Sequence, residues 1–338
     1  RRQMLGLMTG ATGAMLLHAC QPPTRSPSVQ SPGTSRPSKT ATMGLVVWTG
    51  NAPLYVARSQ GLFEKLGLNL DIKTFSTNPD AAAAFSTGRI DGWAAVTSEA
   101  VLLAARGKDF RVVLVQDSSV GADGILARNR ITDLKDFKGK RVAVEEGAVS
   151  HFFLLQSLAT VGLTDRDITI VNVAPDAAAA AYQAGQAEIA VSYSPFLEQA
   201  NAAQKDGRII FDSSKIPTAI TDLYLFDTQF INQNPEAIQA FVDGCFQGLD
   251  VLQQKPQEAN PIAAKELGVS PEELQTNLKG LKLPDRTTNL EMLNNPQSEL
   301  HLLKSMDAMA QFLLDQKKIT KRPDLSQLLE PRFVLAAK

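Results

Sequence analysis

Short runs of apolar residues alternate with helical patterns along most of the chain, and each run has the length of a buried strand. A helical pattern over residues 53–66 follows the first run. After residue 234 the pattern is helical throughout, with prolines at starts and breaks. This alternation predicts an α/β architecture with mostly parallel sheets and a helical C-terminal tail. The predicted strands are residues 45–48, 70–75, 111–115, 141–145, 168–173 and 209–211.

One helix-and-strand pattern occurs twice. Pro79 and Asp80 begin an alanine-rich helix that stops at Gly88, and residues 175–182 repeat this order before Gly185. An apolar strand follows each copy, and Asp is the predicted helix cap in both. Two unrelated alanine-rich helices would share the composition but not the order. The repeat therefore predicts two similar lobes with a cleft between them.

The N-terminal segment has the pattern of an export signal. In residues 1–20, paired arginines precede an apolar stretch that ends at Cys20. The end of this stretch resembles a bacterial lipobox, which predicts lipidation of Cys20; the alternative is an ordinary signal peptide. Residues 21–42 are rich in Pro, Ser and Thr and are predicted to be a disordered tether. We therefore expect an exported lipoprotein, held at the periplasmic face of a membrane by its lipid anchor.

Composition excludes several other classes of protein. The chain has 34 basic and 35 acidic residues and no basic block, so nucleic acid is not an expected partner. With Cys20 lipidated, Cys245 is left without a disulfide partner. It lies on an apolar helical stripe and is predicted to fill the core. No Cys cluster that could hold iron or zinc is present in the sequence, and we expect no metal and no cofactor. We also expect a monomer.

The chain is predicted to pass between the lobes twice, near residues 124–127 and near residues 222–225. Lobe 1 would then comprise residues 43–125 and 226–338. Lobe 2 would be the continuous insert of residues 126–225.

The candidate binding site follows from this topology. Ligands of open α/β sheets bind beyond the carboxyl ends of strands, where helices begin and N–H groups are free. Four such ends carry small and polar residues. The predicted ligand-binding residues are Trp48, Asn51, Thr97, Ser98, Asp123, Glu146, Ser150, His151, Tyr193 and Asp222.

Several segments resemble one family. Residues 48–57 (WTGNAPLYVA) and 61–68 (GLFEKLGL) look like the opening of the nitrate/taurine/sulfonate branch of ABC-transporter solute-binding proteins. Residues 133–144 resemble that family's entry into its second lobe, and residues 189–195 occupy the place of a cleft segment. The resemblance implies a two-lobed periplasmic-binding-protein fold of type II, with two crossovers and hinge closure on a solute. It also implies membrane permease and ATPase partners.

The residues of the predicted cleft favour a nitrogen-bearing solute. Asp123 and Asp222 stand close to the predicted crossings, and the cleft segments contain almost no Lys or Arg. Buried carboxylates need a partner, which a cation such as guanidinium would supply. Trp48 and Tyr193 could pack on this cation. A zwitterion such as taurine would also place its amine on the acids and its sulfonate on the helix starts.

Other readings of the cleft remain open at the level of sequence. An oxyanion such as nitrate or a sulfonate fits less well, because no cationic side chain lies in the motif segments. Whether Glu99 and Glu145 face the cleft is also open. The superfamily includes pyrimidine synthases for a thiamine precursor, which sacrifice a His and use iron. His151 is the one histidine near the predicted cleft, and we expect it to be a hydrogen-bonding residue in a protein that is not an enzyme.

Overall fold

Apolar strands form two separate sheets in the computed structural model, which describes residues 39–217 and 219–337. The strands are β1 (Lys39–Leu45), β2 (Leu68–Thr74), β3 (Gly92–Val96), β4 (Phe110–Ser119), β5 (Asp123–Ala127), β6 (Arg141–Val144), β7 (Thr169–Asn172), β8 (Ile189–Tyr193), β9 (Arg208–Asp212), β10 (Thr221–Asp227) and β11 (Leu281–Lys282).

Helices cover both sheets and form most of the C-terminal region. They are α1 (Ala52–Ser59), α2 (Leu62–Lys65), α3 (Asn78–Ser86), α4 (Thr97–Ala105), α5 (Val149–Ala159), α6 (Pro175–Gln183), α7 (Phe196–Ala203), α8 (Thr228–Gln233), α9 (Pro235–Gln254), α10 (Pro256–Leu267), α11 (Pro271–Asn277), α12 (Arg286–Asn294), α13 (Leu302–Asp315) and α14 (Arg332–Ala336).

The two sheets have the same strand order once β11 at one edge is set aside. The first sheet runs β2-β1-β3-β10-β4-β11 and the second runs β7-β6-β8-β5-β9. In each sheet three strands are parallel, and the fourth (β10 or β5) is antiparallel to both of its neighbours. The predicted two-lobed α/β fold with two crossings and a helical tail is confirmed. The antiparallel orientation of β5 and β10 was not predicted.

The repeated sequence pattern lies at equivalent places in the two lobes. The first copy forms α3 and β3, and the second forms α6 and β8. Gly88 and Gly185 follow the helices with φ of 70° and 80°, a conformation that favours glycine. The predicted Asp caps are wrong, because Thr77 caps α3 and Asp80 lies inside its first turn. In α6, the cap residue Ala174 makes no side-chain cap.

The crossings lie earlier in the chain than predicted. Strand β5 pairs with β8 and β9 of the second sheet, and β10 pairs with β3 and β4 of the first. The predicted boundaries at residues 125 and 225 therefore fall inside strands. Lobe 1 comprises residues 39–119 and 221–337, and lobe 2 comprises residues 123–215. An apolar strand fits either sheet equally well by pattern, which is why the sequence misplaced both crossings.

The start of lobe 1 also differs from the prediction. Residues 39–42 belong to β1 and not to a tether, because they pair with β2 from Lys39 onward. Strand β1 ends at Leu45, so residues 46–48 follow the strand. The predicted signal of residues 1–20, the lipidation site Cys20 and the remainder of the tether lie outside the described residues.

The core of lobe 1 joins its sheet to the C-terminal helices. The stripe on α9 that contains Cys245 is buried against this sheet, as predicted. Gly61, with φ of 64°, divides the predicted helix 53–66 into α1 and α2. None of the helices in the described part of the chain is long and apolar enough to cross a membrane.

Candidate functional site

A small pocket of about 30 Å³ lies where the two lobes meet. It is bounded by the carboxyl ends of β1, β3 and β8 and by the first residues of β5 and β10, as expected for an α/β binding site. Its lining residues are Val46, Trp48, Asn51, Asn78, Ala94, Val96, Gln116, Asp123, Val149, Tyr193, Ile220 and Asp222.

Half of the ten predicted ligand-binding residues line this pocket. They are Trp48, Asn51, Asp123, Tyr193 and Asp222.

The other predicted residues lie elsewhere. Thr97 is buried and its hydroxyl donates to the Thr221 carbonyl oxygen over 3.1 Å, while Ser98 and Ser150 are buried outside the pocket lining. His151 Nδ1 accepts a hydrogen bond of 3.1 Å from the Gly147 N–H. Glu146 is exposed, so the structure places this carboxylate outside the pocket.

Trp48 and Tyr193 form an aromatic wall that spans the lobes. Their rings meet edge to face with centroids 5.6 Å apart, and both side chains are buried. Trp48 follows β1 in lobe 1, and Tyr193 ends β8 in lobe 2. The contact therefore exists when the two lobes are closed on each other.

Sequence reasoning missed Asp117, a buried carboxylate behind this wall. Trp48 Nε1 donates to Asp117 Oδ2 over 3.0 Å, and Asp117 stands opposite Asp222 in the register of β4 and β10. Burial raises the pKa of Asp117 to about 7, although its hydrogen bonds to Trp48 and Asp222 oppose the shift. An acid in an apolar strand was the signal that identified Asp222, but Asp117 gives no such signal because Gln116 and Ser118 flank it.

The other two aspartates lack a cationic partner as well. Burial raises the pKa of Asp123 to about 7, and the neighbouring Asp117 adds to the shift. Burial, followed by the charges of Asp117 and Asp123, raises the pKa of Asp222 well above its usual range. None of these carboxylates has an ion-pair partner in the described part of the chain.

The fully buried side-chain atoms of the pocket lining that lack a partner are acceptors. Asn51 donates to the Val46 carbonyl oxygen and accepts from Gln116 Nε2, each over 2.9 Å. Across residues 39–217 and 219–337, the pocket-lining side-chain atoms that are buried without a partner are Gln116 Oε1, Asp123 Oδ2 and Asp222 Oδ2. The pocket therefore calls for a solute that donates hydrogen bonds.

Glu99 and Glu145, left open by the sequence, are both buried beside the pocket. Glu99 Oε2 accepts from the Val96 N–H over 3.1 Å, and Glu145 Oε1 accepts from the Asn78 N–H over 3.2 Å. Burial raises the pKa of Glu99 to about 8 and that of Glu145 to about 7. Within the described ranges, no group of three or more His, Cys, Asp or Glu side chains could hold a metal ion.

Gly50 is required where the chain turns into α1. A Cβ atom at this position would overlap Asp117 Oδ2 and Trp48 Nε1. We expect Gly50→Ala to displace both side chains, to destabilise the fold by about 1–3 kcal/mol and to weaken solute binding. Thermal unfolding and calorimetric titration would measure both effects. Unchanged affinity in the variant would show that the placement of Asp117 and Trp48 does not matter for binding.

The paired sheets and the pocket between them define a protein of the two-lobed periplasmic-binding-protein class. Within this class, the chain belongs to the NMT1/THI5-like family, whose model matches residues 48–259. This membership confirms the resemblance seen in the sequence.

Named relatives agree with this assignment. The chain is 25% identical over 300 residues to the taurine-binding periplasmic protein of Escherichia coli K12, covering 85% of this chain and 90% of that protein. Its fold matches the alkanesulfonate-binding protein SsuA from Xanthomonas axonopodis pv. citri bound to MOPS, with a TM-score of 0.71, 20% identity and coverage of 86% and 98%. For the aliphatic sulphonate binding protein SsuA of Escherichia coli, the TM-score is 0.70 and the identity is 21%, and the match covers 88% of this chain and 99% of that one. The structural matches show the shared fold.

Proposed function

We propose that this protein is the solute-binding component of an ABC importer and that it captures a small cationic solute of the guanidinium type. The named relatives support the transport role, since they bind solutes in the periplasm. The buried, unpartnered oxygens of Gln116, Asp123 and Asp222 are the observation that carries the choice of solute. A permease and an ATPase in the membrane would be its partners, with Cys20 as the proposed lipid anchor at the periplasmic face.

The charge of the pocket supports a cation. Asp123 and Asp222 line it, Asp117 lies directly behind, and none of the described residues that line it is a Lys or Arg. A planar guanidinium presents a fork of N–H donors that matches carboxylate oxygens. The small volume suits a solute of a few heavy atoms. The wall of Trp48 and Tyr193 adds cation–π attraction of about 0.5–2 kcal/mol.

Closure follows from where these groups lie. Trp48 and Asp222 belong to lobe 1, whereas Asp123 and Tyr193 belong to lobe 2. A cation that touches both aspartates binds the closed state better than the open state, and this difference in affinity sets how far it shifts the balance. The closed shape is then available for the transporter to recognise.

The second candidate solute is taurine or another sulfonate. The names of the relatives favour it, because they are taurine-binding and alkanesulfonate-binding proteins. The amine of taurine would meet Asp123 or Asp222. Its sulfonate would need the free N–H groups of a helix start.

The enzyme alternative has less support. His151 does not line the pocket, and its imidazole is buried against Phe152. Burial lowers the pKa of His151 to about 4, which keeps the ring neutral at pH 7. A neutral histidine outside the pocket is poorly placed to react with a bound solute, so we propose binding without turnover.

A solute screen on residues 39–338 tests this proposal. We expect guanidinium at a hundred times its dissociation constant to stabilise the fold by about 2.7 kcal/mol in a thermal-shift assay. Millimolar guanidinium at constant ionic strength avoids its denaturing effect. Trp48 should report the same event by fluorescence, and the signal should be absent in Trp48→Phe. Stabilisation by methanesulfonate or nitrate, with none by guanidinium or methylammonium, would contradict the proposal.

A further inference from the structure

Two glutamates join the lobes in a reciprocal arrangement. Glu145 follows β6 in lobe 2 and accepts from the N–H of Asn78, the first residue of α3 in lobe 1. Glu99 belongs to α4 in lobe 1, where its Oε2 accepts from the Val96 N–H, and the N–H of Val149, the first residue of α5 in lobe 2, lowers the pKa of its carboxyl group. Each lobe therefore places a carboxyl group beside a helix start in the other.

These carboxyl groups occupy the positions that an anionic solute would need. The first N–H groups of a helix have no partner within the helix and attract negative charge. Asn78 and Val96, whose N–H groups donate to the two glutamates, line the pocket, and so does Val149 at the start of α5. A sulfonate entering the pocket would find these donors already engaged.

The same glutamates turn further acceptor atoms towards the interior. Glu99 Oε1 and Glu145 Oε2 are buried and have no hydrogen-bond partner among the residues described here. Both glutamates are buried, with only 5% of Glu99 and 3% of Glu145 exposed to solvent. An approaching oxyanion would therefore meet carboxyl groups at the places where it needs free N–H donors.

We infer that Glu99 and Glu145 determine specificity by filling the helix starts at the pocket, so that the protein rejects sulfonates and carboxylates and accepts cations. The inference rests on the proposed function, since it explains how a taurine-binding type of pocket becomes selective for a cation. It also makes the two glutamates part of the contact that holds the lobes closed.

The test removes the two glutamate side chains from the helix starts and measures taurine binding by calorimetry. Taurine suits the test because its amine can still pair with the intact aspartates. We expect Glu99→Ala/Glu145→Ala to bind taurine at least tenfold more tightly than the wild type, because charge-assisted hydrogen bonds to the released N–H groups become available. Guanidinium binding should persist in this variant. If the double variant does not fold by circular dichroism, each single Ala variant should show a smaller gain.

Two control variants distinguish the filling of the helix starts from two other effects, the loss of a negative charge and the loss of a helix cap. Glu145→Gln keeps an acceptor oxygen on the Asn78 N–H, so it should continue to exclude taurine. Glu273→Ala removes a glutamate that caps α11 through the Ser270 N–H, as Glu99 caps α4, and it should leave taurine affinity unchanged.

A taurine affinity in the Ala variants that stays within twofold of the wild type would overturn the inference. Tight binding of taurine by the wild type would overturn it too. Failure of the proposed function is a separate result, namely that the wild type does not bind guanidinium.

Discussion

Asp222→Asn is expected to weaken guanidinium binding by about a hundredfold, or about 2.7 kcal/mol. The substitution keeps the size of the side chain and removes its charge. The Asp222 residue is partly exposed, but its Oδ2 is shielded from solvent and has no partner among the described residues. A cation in the closed pocket would lose a desolvated charge partner, which is the kind of contact that carries the most affinity.

The same substitution should make the empty protein more stable. Asp222 lies close to Asp117, Asp123 and Glu99, whose charges oppose its ionisation. An amide at this position relieves that repulsion, so the Tm of the solute-free variant should rise while its affinity falls. Opposite signs for stability and binding distinguish a functional carboxylate from a structural one.

Asp227→Asn provides the matched control on the same strand. Asp227 ends β10 and pairs with Lys108 over 2.7 Å, away from the pocket lining. Its replacement should leave guanidinium affinity within about twofold, since this partly exposed pair lies outside the pocket and such pairs contribute about 1 kcal/mol or less to stability. Equal losses in both variants would mean that general charge, and not the pocket, governs binding.

Guanidinium affinity is expected to fall steeply as the pH drops below 7. The pKa values of Asp117 and Asp123 are raised to about 7 in the solute-free protein, chiefly by burial, and burial also raises that of Asp222 well above its usual range. A protonated carboxyl group offers no charge to a cation, so binding must release protons. Each proton released changes the affinity by about tenfold per pH unit in this range.

Calorimetric titration at pH 5, 6, 7 and 8 measures this dependence. Two buffers with different heats of ionisation give the number of protons released at each pH. A flat profile between pH 5 and pH 8 would show that the aspartates do not titrate on binding. The variant Asp222→Asn should release fewer protons than the wild type.

The stability of the solute-free protein should follow the opposite trend with pH. The folded state holds protons on these aspartates more tightly than the unfolded chain does, because an unfolded Asp has a pKa of about 3.9. Their contribution to the free energy of unfolding is therefore fully present below about pH 4 and is lost as the pH rises through 7. Added guanidinium should reverse this loss, because it binds the ionised form.

The sequence predicted the two lobes well because each copy of the repeat includes the glycine that ends its helix. Gly88 and Gly185 end equivalent helices, and the same strand follows each of them. It predicted Asp222 for a physical reason, since an acid in an apolar strand requires a partner. The same argument did not identify Asp117, because it lies between Gln116 and Ser118 in a polar segment that predicts a turn after the strand.

Other features depend on contacts that no local pattern contains. Glu145 and Glu146 are neighbours in the chain, but the first is buried and the second is exposed. Which of them turns inward is decided by the Asn78 N–H in the other lobe, 67 positions away. The crossings were misplaced for a similar reason, because β5 and β10 are equally apolar and their sheets are chosen by pairing.

The positions of β5 and β10 have a mechanical consequence. Asp123 is the first residue of β5 and Asp222 is the second residue of β10, so both follow directly after the chain passes from one lobe to the other. A solute bound there lies close to the hinge axis, where a given rotation moves atoms least, while the outer edges of the lobes move through a much longer arc. Only a very small solute fits between the lobes so near the axis, yet the rotation that it favours produces a large displacement at the outer edges.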